Sequence, residues 1–155
     1  MCIAGEPLVV VDYAHKPDAL KQVLKALRPY CQGKLWCIFG CGGDRDKSKR
    51  PIMATLAESL SDKVVLTQDN PRTEDPNQIF KEIMPGFQKP ELIEIIPDRI
   101  AAITKAILEA EPNDVILIAG KGHENYQIIG TQKIALDDYK EAEKAILRRN
   151  YAINA

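Results

Sequence analysis

Five short runs rich in β-branched and large apolar residues, Leu8 to Val11, Leu35 to Phe39, Val64 to Thr67, Leu92 to Ile96 and Val115 to Ala119, recur along the chain. Between them the apolar positions fall at about 3.6-residue spacing: Leu20, Val23, Leu24 and Leu27, then Ile52, Leu56 and Leu60, then Ile79, Phe80 and Ile83, then Ile100, Ile103 and Ile107. Alternation of strand and helix constrains the fold strongly, because each helix must return the chain to begin the next parallel strand. The order predicts an α/β fold, a Rossmann-like, mostly parallel sheet flanked by helices. Pro51 and Pro76 mark helix starts, where the missing amide has no intrahelical partner to lose. After the fifth run, Tyr126 to Ile129 and Lys133 to Leu136 flank Gly130-Thr131-Gln132, a hairpin that would add an antiparallel edge. Asp137 and Asp138 then open a last helix through Ile146.

A chain of 155 residues suits one such domain, burying about 70% of its unfolded surface, with no staples required. Lysine and arginine total 21 against 22 for aspartate and glutamate, so no general field favours nucleic acid or an anionic membrane. Any anion site must be local. Cys2, Cys31, Cys37 and Cys41 lack paired CxxC spacing and only His15 and His123 could join them, which argues for reduced thiols, no metal site and a cytoplasmic protein. The amino terminus has no basic segment before its short apolar run, so nothing resembles a signal or a membrane span. Residues 1–6 read as the remnant of a linker from a longer polypeptide, and 7–155 as the domain.

Four clusters of polar and glycine residues follow four of the strand runs: Asp12-Tyr-Ala-His15, Gly40-Cys-Gly-Gly-Asp-Arg45, Asp69-Asn-Pro-Arg72 and Gly120-Lys-Gly-His-Glu124. In a parallel sheet the carboxyl ends of the strands share one edge, where open α/β sheets bind ligands, so the clusters should converge. The second cluster is not a phosphate loop, because Asp46 stands where glycine must precede Lys47-Ser48. Its glycines still permit close backbone approach and leave amides for an anion. Arg45 and Arg72 can each fork onto a carboxylate, while Asp69 and Glu124 can accept from an ammonium. A ligand with two amino-acid ends would use all four. The same four could equally pair internally, Arg45 with Asp69 or Arg72 with Glu124. His15 and His123 suit ribose, phosphate or a proton in transit, or plain loop hydrogen bonding.

These four motifs, in this order, resemble the carboxy-terminal domain of the Mur ligases, and the resemblance spans about Pro7 to Leu147. It implies an ATP-dependent amide ligase in which this domain selects an amino acid. Asp-Asn-Pro-Arg is associated with the family member that adds meso-diaminopimelate, with Arg72 taking the carboxylate that lysine lacks. By the same resemblance, Arg45 grips the carboxylate near the reacting amine, and Asp69, Asn70, Pro71, Arg72, Gly120 and Glu124 surround the distal amino-carboxylate. Asp12, His15 and Lys47 fall near the nucleotide. ATP and Mg2+ would be held mainly by a central domain, and the UDP-N-acetylmuramoyl dipeptide by an amino-terminal one, neither present among these residues. No catalytic residue is assigned in this domain; His123 is the nearest candidate for a base. The readings that compete are a lysine-adding member, disfavoured by Arg72, and a stand-alone amino-acid or nucleotide binding module.

Overall fold

A computed structural model describes residues 1–154, with side chains described for residues 1–151. Five parallel strands, β1 (Leu8–Asp12), β2 (Leu35–Phe39), β3 (Lys63–Leu66), β4 (Glu94–Ile95) and β5 (Val115–Ala119), form one sheet in the order β1-β5-β2-β3-β4. The helices are α1 (Pro17–Leu27), α2 (Lys49–Leu60), α3 (Pro76–Ile83), α4 (Arg99–Glu109) and α5 (Asp138–Asn154).

The pleat divides the core into two layers. Leu35, Cys37 and Phe39 of β2 and Val115, Leu117 and Ala119 of β5 face Leu20, Leu24, Met53, Ala57, Phe80 and Ile83 of α1, α2 and α3. The alternate residues, Trp36, Ile38, Ile116 and Ile118, face Ala102, Ile103, Ile107, Ala142 and Ile146 of α4 and α5. Every residue of β2 and β5 is buried, which is why both runs read as continuously apolar rather than alternating. Each large side chain so buried contributes about 1.5–3 kcal/mol.

Local signals are placed by ordinary capping. Asp75 caps α3 by accepting from the Asn77 amide, with Pro76 as the first helical residue. α2 begins two residues before Pro51, which still sits within its first turn. The expected strand from Leu92 to Ile96 shrinks to Glu94–Ile95, because Pro90–Leu92 forms a 3-10 turn that leaves Leu92 70% exposed. A short strand there suits a sheet edge. The last helix runs past Ile146 to Asn154.

The hairpin forms, as β6 (Tyr126–Ile129) and β7 (Gln132–Ala135) around Gly130 and Thr131, but as a sheet of its own rather than as an edge of the main one. Gly130 has φ of +63, the conformation a two-residue hairpin loop asks of its first position. The hairpin is drawn instead to the loop after β3 through a bridge between Arg72 and Ile129. Residues 1–6 fold against the domain: Met1 exchanges hydrogen bonds with Val9, and buried Glu6 pairs with Arg149 of α5 at 2.5 Å.

Candidate functional site

The four clusters converge beyond the carboxyl ends of β1, β2, β3 and β5 on a cavity of about 320 Å³. Of the residues expected from sequence, His15, Arg45, Asp69, Asn70, Arg72, Gly120 and Glu124 line it. Asp12, Lys47 and Pro71 do not. Tyr13, Lys16 and Lys49 line it without having been singled out.

The loop after β3 is held from outside by the hairpin. The Gln127 side-chain amide donates to the Asp69 carbonyl at 2.6 Å, the Ile128 amide to Asn70 Oδ1 at 3.0 Å, and the Arg72 amide to the Ile128 carbonyl at 3.0 Å. Arg72 itself adopts φ of +54, a left-handed conformation costing a side chain about 1–2 kcal/mol. That strain is sustained because the amide and carbonyl of Arg72 are both bonded to the hairpin, the carbonyl by the Gly130 amide at 2.7 Å.

The glycine loop after β2 lies against the same segment. A Cβ on Gly43 would fall 1.8 Å from the Pro71 carbonyl oxygen, so only glycine permits this approach. Three of the loop's amides are engaged within the chain: Gly43 donates to the Asn70 carbonyl, Asp44 to Glu74 and Ser48 to Asp46. Below it, fully buried Arg50 forks onto Glu74 at 2.6 and 3.0 Å, reaches Glu82 at 2.8 Å and donates to the Gly42 carbonyl. The Arg50 guanidinium beside Glu74 holds that carboxyl down at about 2. Hydrogen bonds from the Thr73 hydroxyl and amide likewise lower Asp44. On the other side of the sheet Arg99, also buried, forks onto Asp138 at 2.6 and 2.8 Å and donates to the carbonyls of Gln68 and Ala119. Those carbonyls immediately precede Asp69 and Gly120, so α4 and α5 are tied to the two strand ends that carry the site.

The internal pairing that sequence left open does not form. Arg45 donates to its neighbour's carbonyl, that of Asp44, and Arg72 to the carbonyls of Gly43 and Asn70. Among the described residues neither arginine pairs with a carboxylate, and nothing donates to the carboxylate of Asp69, which is 7% exposed. Glu124 contacts Lys121 Nζ at 3.3 Å and the Tyr126 hydroxyl at 3.5 Å. Gly120, at φ of +119, lies so close to Asp69 that a Cβ there would be 2.3 Å from Oδ2.

The other candidates have local roles. Asp12 Oδ2 accepts from the Ala14 amide at 2.8 Å, and its carbonyl receives the amides of Gly120 and Gly122. His15 Nδ1 lies 3.0 Å from the Tyr13 carbonyl, with the two rings edge to face at 4.8 Å. Lys47 is exposed. His123 lines a neighbouring depression with Tyr13, Glu124, Asn125 and Tyr126. All four cysteines are free, and burial pushes Cys37 and Cys41 up to about 12. Among the described residues no three His, Cys, Asp or Glu side chains gather to hold a metal, and no helix is long and apolar enough to cross a membrane.

Residues 2–122 match the family described as Mur ligase, glutamate ligase domain. A UDP-N-acetylmuramoyl-L-alanyl-D-glutamate--2,6-diaminopimelate ligase of Pseudomonas putida is 58% identical over 141 residues, covering 91% of this chain and 28% of the relative. The ligase of the same name from Synechococcus elongatus is 54% identical over 148 residues, covering 96% and 30%. A solved structure of a ligase of that name superposes with a TM-score of 0.91 at 47% identity, covering 96% of this chain and 31% of the other. The chain thus spans less than a third of the length of these relatives. It belongs to the Mur ligase glutamate-ligase domain family.

Proposed function

We propose that the cavity binds meso-diaminopimelate and that the chain is the amino-acid-recognising domain of the ligase that joins it to UDP-N-acetylmuramoyl-L-alanyl-D-glutamate. The observation that carries this reading is the coexistence, in one cavity, of two arginines and an Asp69 carboxylate that find no carboxylate partner and no donor, respectively, among the described residues. Asp69 is buried and Arg72 half-buried, and charges so placed normally find partners within the chain, whereas Arg45 is exposed where it lines the cavity. A ligand carrying carboxylate and ammonium at both ends answers every one of these groups. The volume lies at the small end of ligand pockets, which run from about 300 to 1,000 Å³. The names of the relatives support the same choice.

In this reading Arg45 holds the carboxylate beside the reacting amine, Arg72 and Asn70 hold the distal carboxylate, and Asp69 and Glu124 accept from the distal ammonium. Lys16 and Lys49 give the same cavity a cationic edge beside the His15 ring, which fits phosphates or ribose of ATP bound chiefly by the rest of the ligase. The described residues do not gather three carboxylates for Mg2+, which the rest of the ligase would hold. The domain's contribution is orientation. Holding the amine in line with the activated carboxyl of the D-glutamyl substrate removes much of the entropic cost of a bimolecular attack. Closure of the domain over the nucleotide would complete the site and exclude water.

The test is amide formation measured by release of ADP together with mass spectrometry of the product. The complete ligase is expected to form the diaminopimelate-extended product, and the 155-residue chain alone none. Turnover by the chain alone would contradict its assignment as one part of a larger catalyst.

A further inference from the structure

Lys121 sits in the middle of the site yet exposes no surface. Its Nζ lies 2.9 Å from Asn70 Oδ1, 3.3 Å from Glu124 Oε1 and 5.3 Å from the centre of the Tyr126 ring. An ammonium has three hydrogens to donate and no capacity to accept. These neighbours occupy them, so Lys121 is not placed to touch a ligand. Filling the same volume would require only a methionine, and burying a charge is costly unless its partners gain from it. The effect of Lys121 on those partners is therefore the point.

Asn70 Oδ1 receives both Lys121 Nζ and the Ile128 amide. Two donors aimed at one atom identify it as the oxygen, which leaves Nδ2 as a donor on a residue that lines the cavity. Glu124 is fixed by Lys121 through Oε1, leaving Oε2, only 3.5 Å from the Tyr126 hydroxyl, with capacity to accept. We infer that Lys121 is a positioning residue that gives the distal end of the cavity its polarity. It makes Asn70 a donor beside Arg72, for a carboxylate, and fixes Glu124 beside Asp69, for an ammonium.

This rests on the reading of the cavity as a diaminopimelate site, and it adds a stereochemical consequence. Inverting the distal carbon exchanges the ammonium and the carboxylate. The LL isomer would then set its carboxylate against Asp69 and Glu124, and its ammonium against Arg72 and Asn70. Lys121, without contacting the ligand, is thus a determinant of isomer choice.

In the ligase carrying this domain, Lys121→Met is expected to raise KM for meso-diaminopimelate about tenfold, the scale of one buried hydrogen bond to a charge, and to lower the preference for the meso over the LL isomer by a similar factor. KM for ATP should not change, and Lys121→Arg, which keeps charge and donors, should recover part of both losses. Unchanged isomer preference, or KM for ATP rising in parallel, overturns the inference. Because Lys121→Met strands two acceptors and can unfold the domain, NMR of the unaltered 155-residue chain supplies a ligand-free reading. The Lys121 ammonium should exchange slowly with water and show cross-peaks to Asn70. Rapid exchange, like that of an exposed lysine, overturns the positioning role whether or not diaminopimelate binds. A ligase that prefers lysine while the ammonium stays protected refutes the substrate instead, and leaves Lys121 as the orienter of Asn70 and Glu124.

Discussion

Arg72 combines a strained backbone with a guanidinium that, among the described residues, reaches carbonyls but no carboxylate. Arg72→Ala in the ligase should raise KM for meso-diaminopimelate by roughly 10- to 100-fold, the worth of a charge-assisted hydrogen bond, while KM for ATP holds steady; steady-state kinetics in each substrate separates the two. Gly43→Ala brings a methyl into the Pro71 carbonyl and should lower unfolding free energy by about 1–3 kcal/mol or more, read from urea denaturation. Arg45, Asp69, Arg72 and Glu124 were visible as candidates in the sequence because polar and charged residues directly after apolar strands stand out. Arg50 and Arg99 were not, and Lys121, though inside the fourth cluster, carried no sign that it would be buried. An arginine at a helical position has the same local signature whether it is solvated or buried under a loop, and only the packing of α2, α3, α4 and α5 decides. The choice between internal ion pairs and a ligand site was equally invisible, since it depends on a few ångströms between loops distant in sequence.

At the level of elements, the site is a junction of strand ends fastened by buried charge. Arg99 of α4 and Asp138 of α5 close on each other and on the carbonyls before Asp69 and Gly120. Removing one partner leaves an uncompensated buried charge, so Asp138→Ala should cost about 3–5 kcal/mol of stability in urea unfolding. The pair Arg99→Met with Asp138→Leu should cost less than the sum of the two single changes, the carbonyls of Gln68 and Ala119 that Arg99 leaves accounting for what is not recovered, and strict additivity would show that the two residues act independently. The strand order's ingredients were readable: β2 and β5 have the limits their apolar runs predicted, because strands buried on both faces leave a continuous signal. β4 was overextended, because an edge strand is limited by its flanking 3-10 turn and exposure rather than by residue type. The hairpin's turn was legible from Gly130, but not its placement, which is set by hydrogen bonds to Asn70 and Arg72 across more than fifty residues of chain.

For the molecule as a whole, stability against pH has two limbs. Glu74, held at about 2 against an ordinary 4.5, binds its proton more readily when unfolded. Its stabilisation is therefore complete above about 4.5 and is lost as pH falls toward 2, with Asp44 acting in the same direction. Cys37 and Cys41, raised from 9.0 to about 12 by burial, hold their protons more tightly when folded, so their contribution is present below 9.0 and is lost as pH rises toward 12. Thermal unfolding scans across pH should show both declines, and flat stability between 4.5 and 2 would contradict the Arg50–Glu74 clamp. Between the two limbs, across the neutral range, both contributions are fully present. In the function proposed above, this architecture serves selection of the amine, through a cavity whose charges are left for a double-ended zwitterion. The most direct test is competition: equimolar meso-diaminopimelate and L-lysine supplied to the complete ligase, with the products counted by mass spectrometry. The diaminopimelate product should dominate by at least about a hundredfold, as a site with polar groups left unmatched by lysine requires, and Arg72→Ala should collapse the ratio. Comparable incorporation of lysine by the unaltered enzyme, or a ratio indifferent to Arg72, would contradict the account.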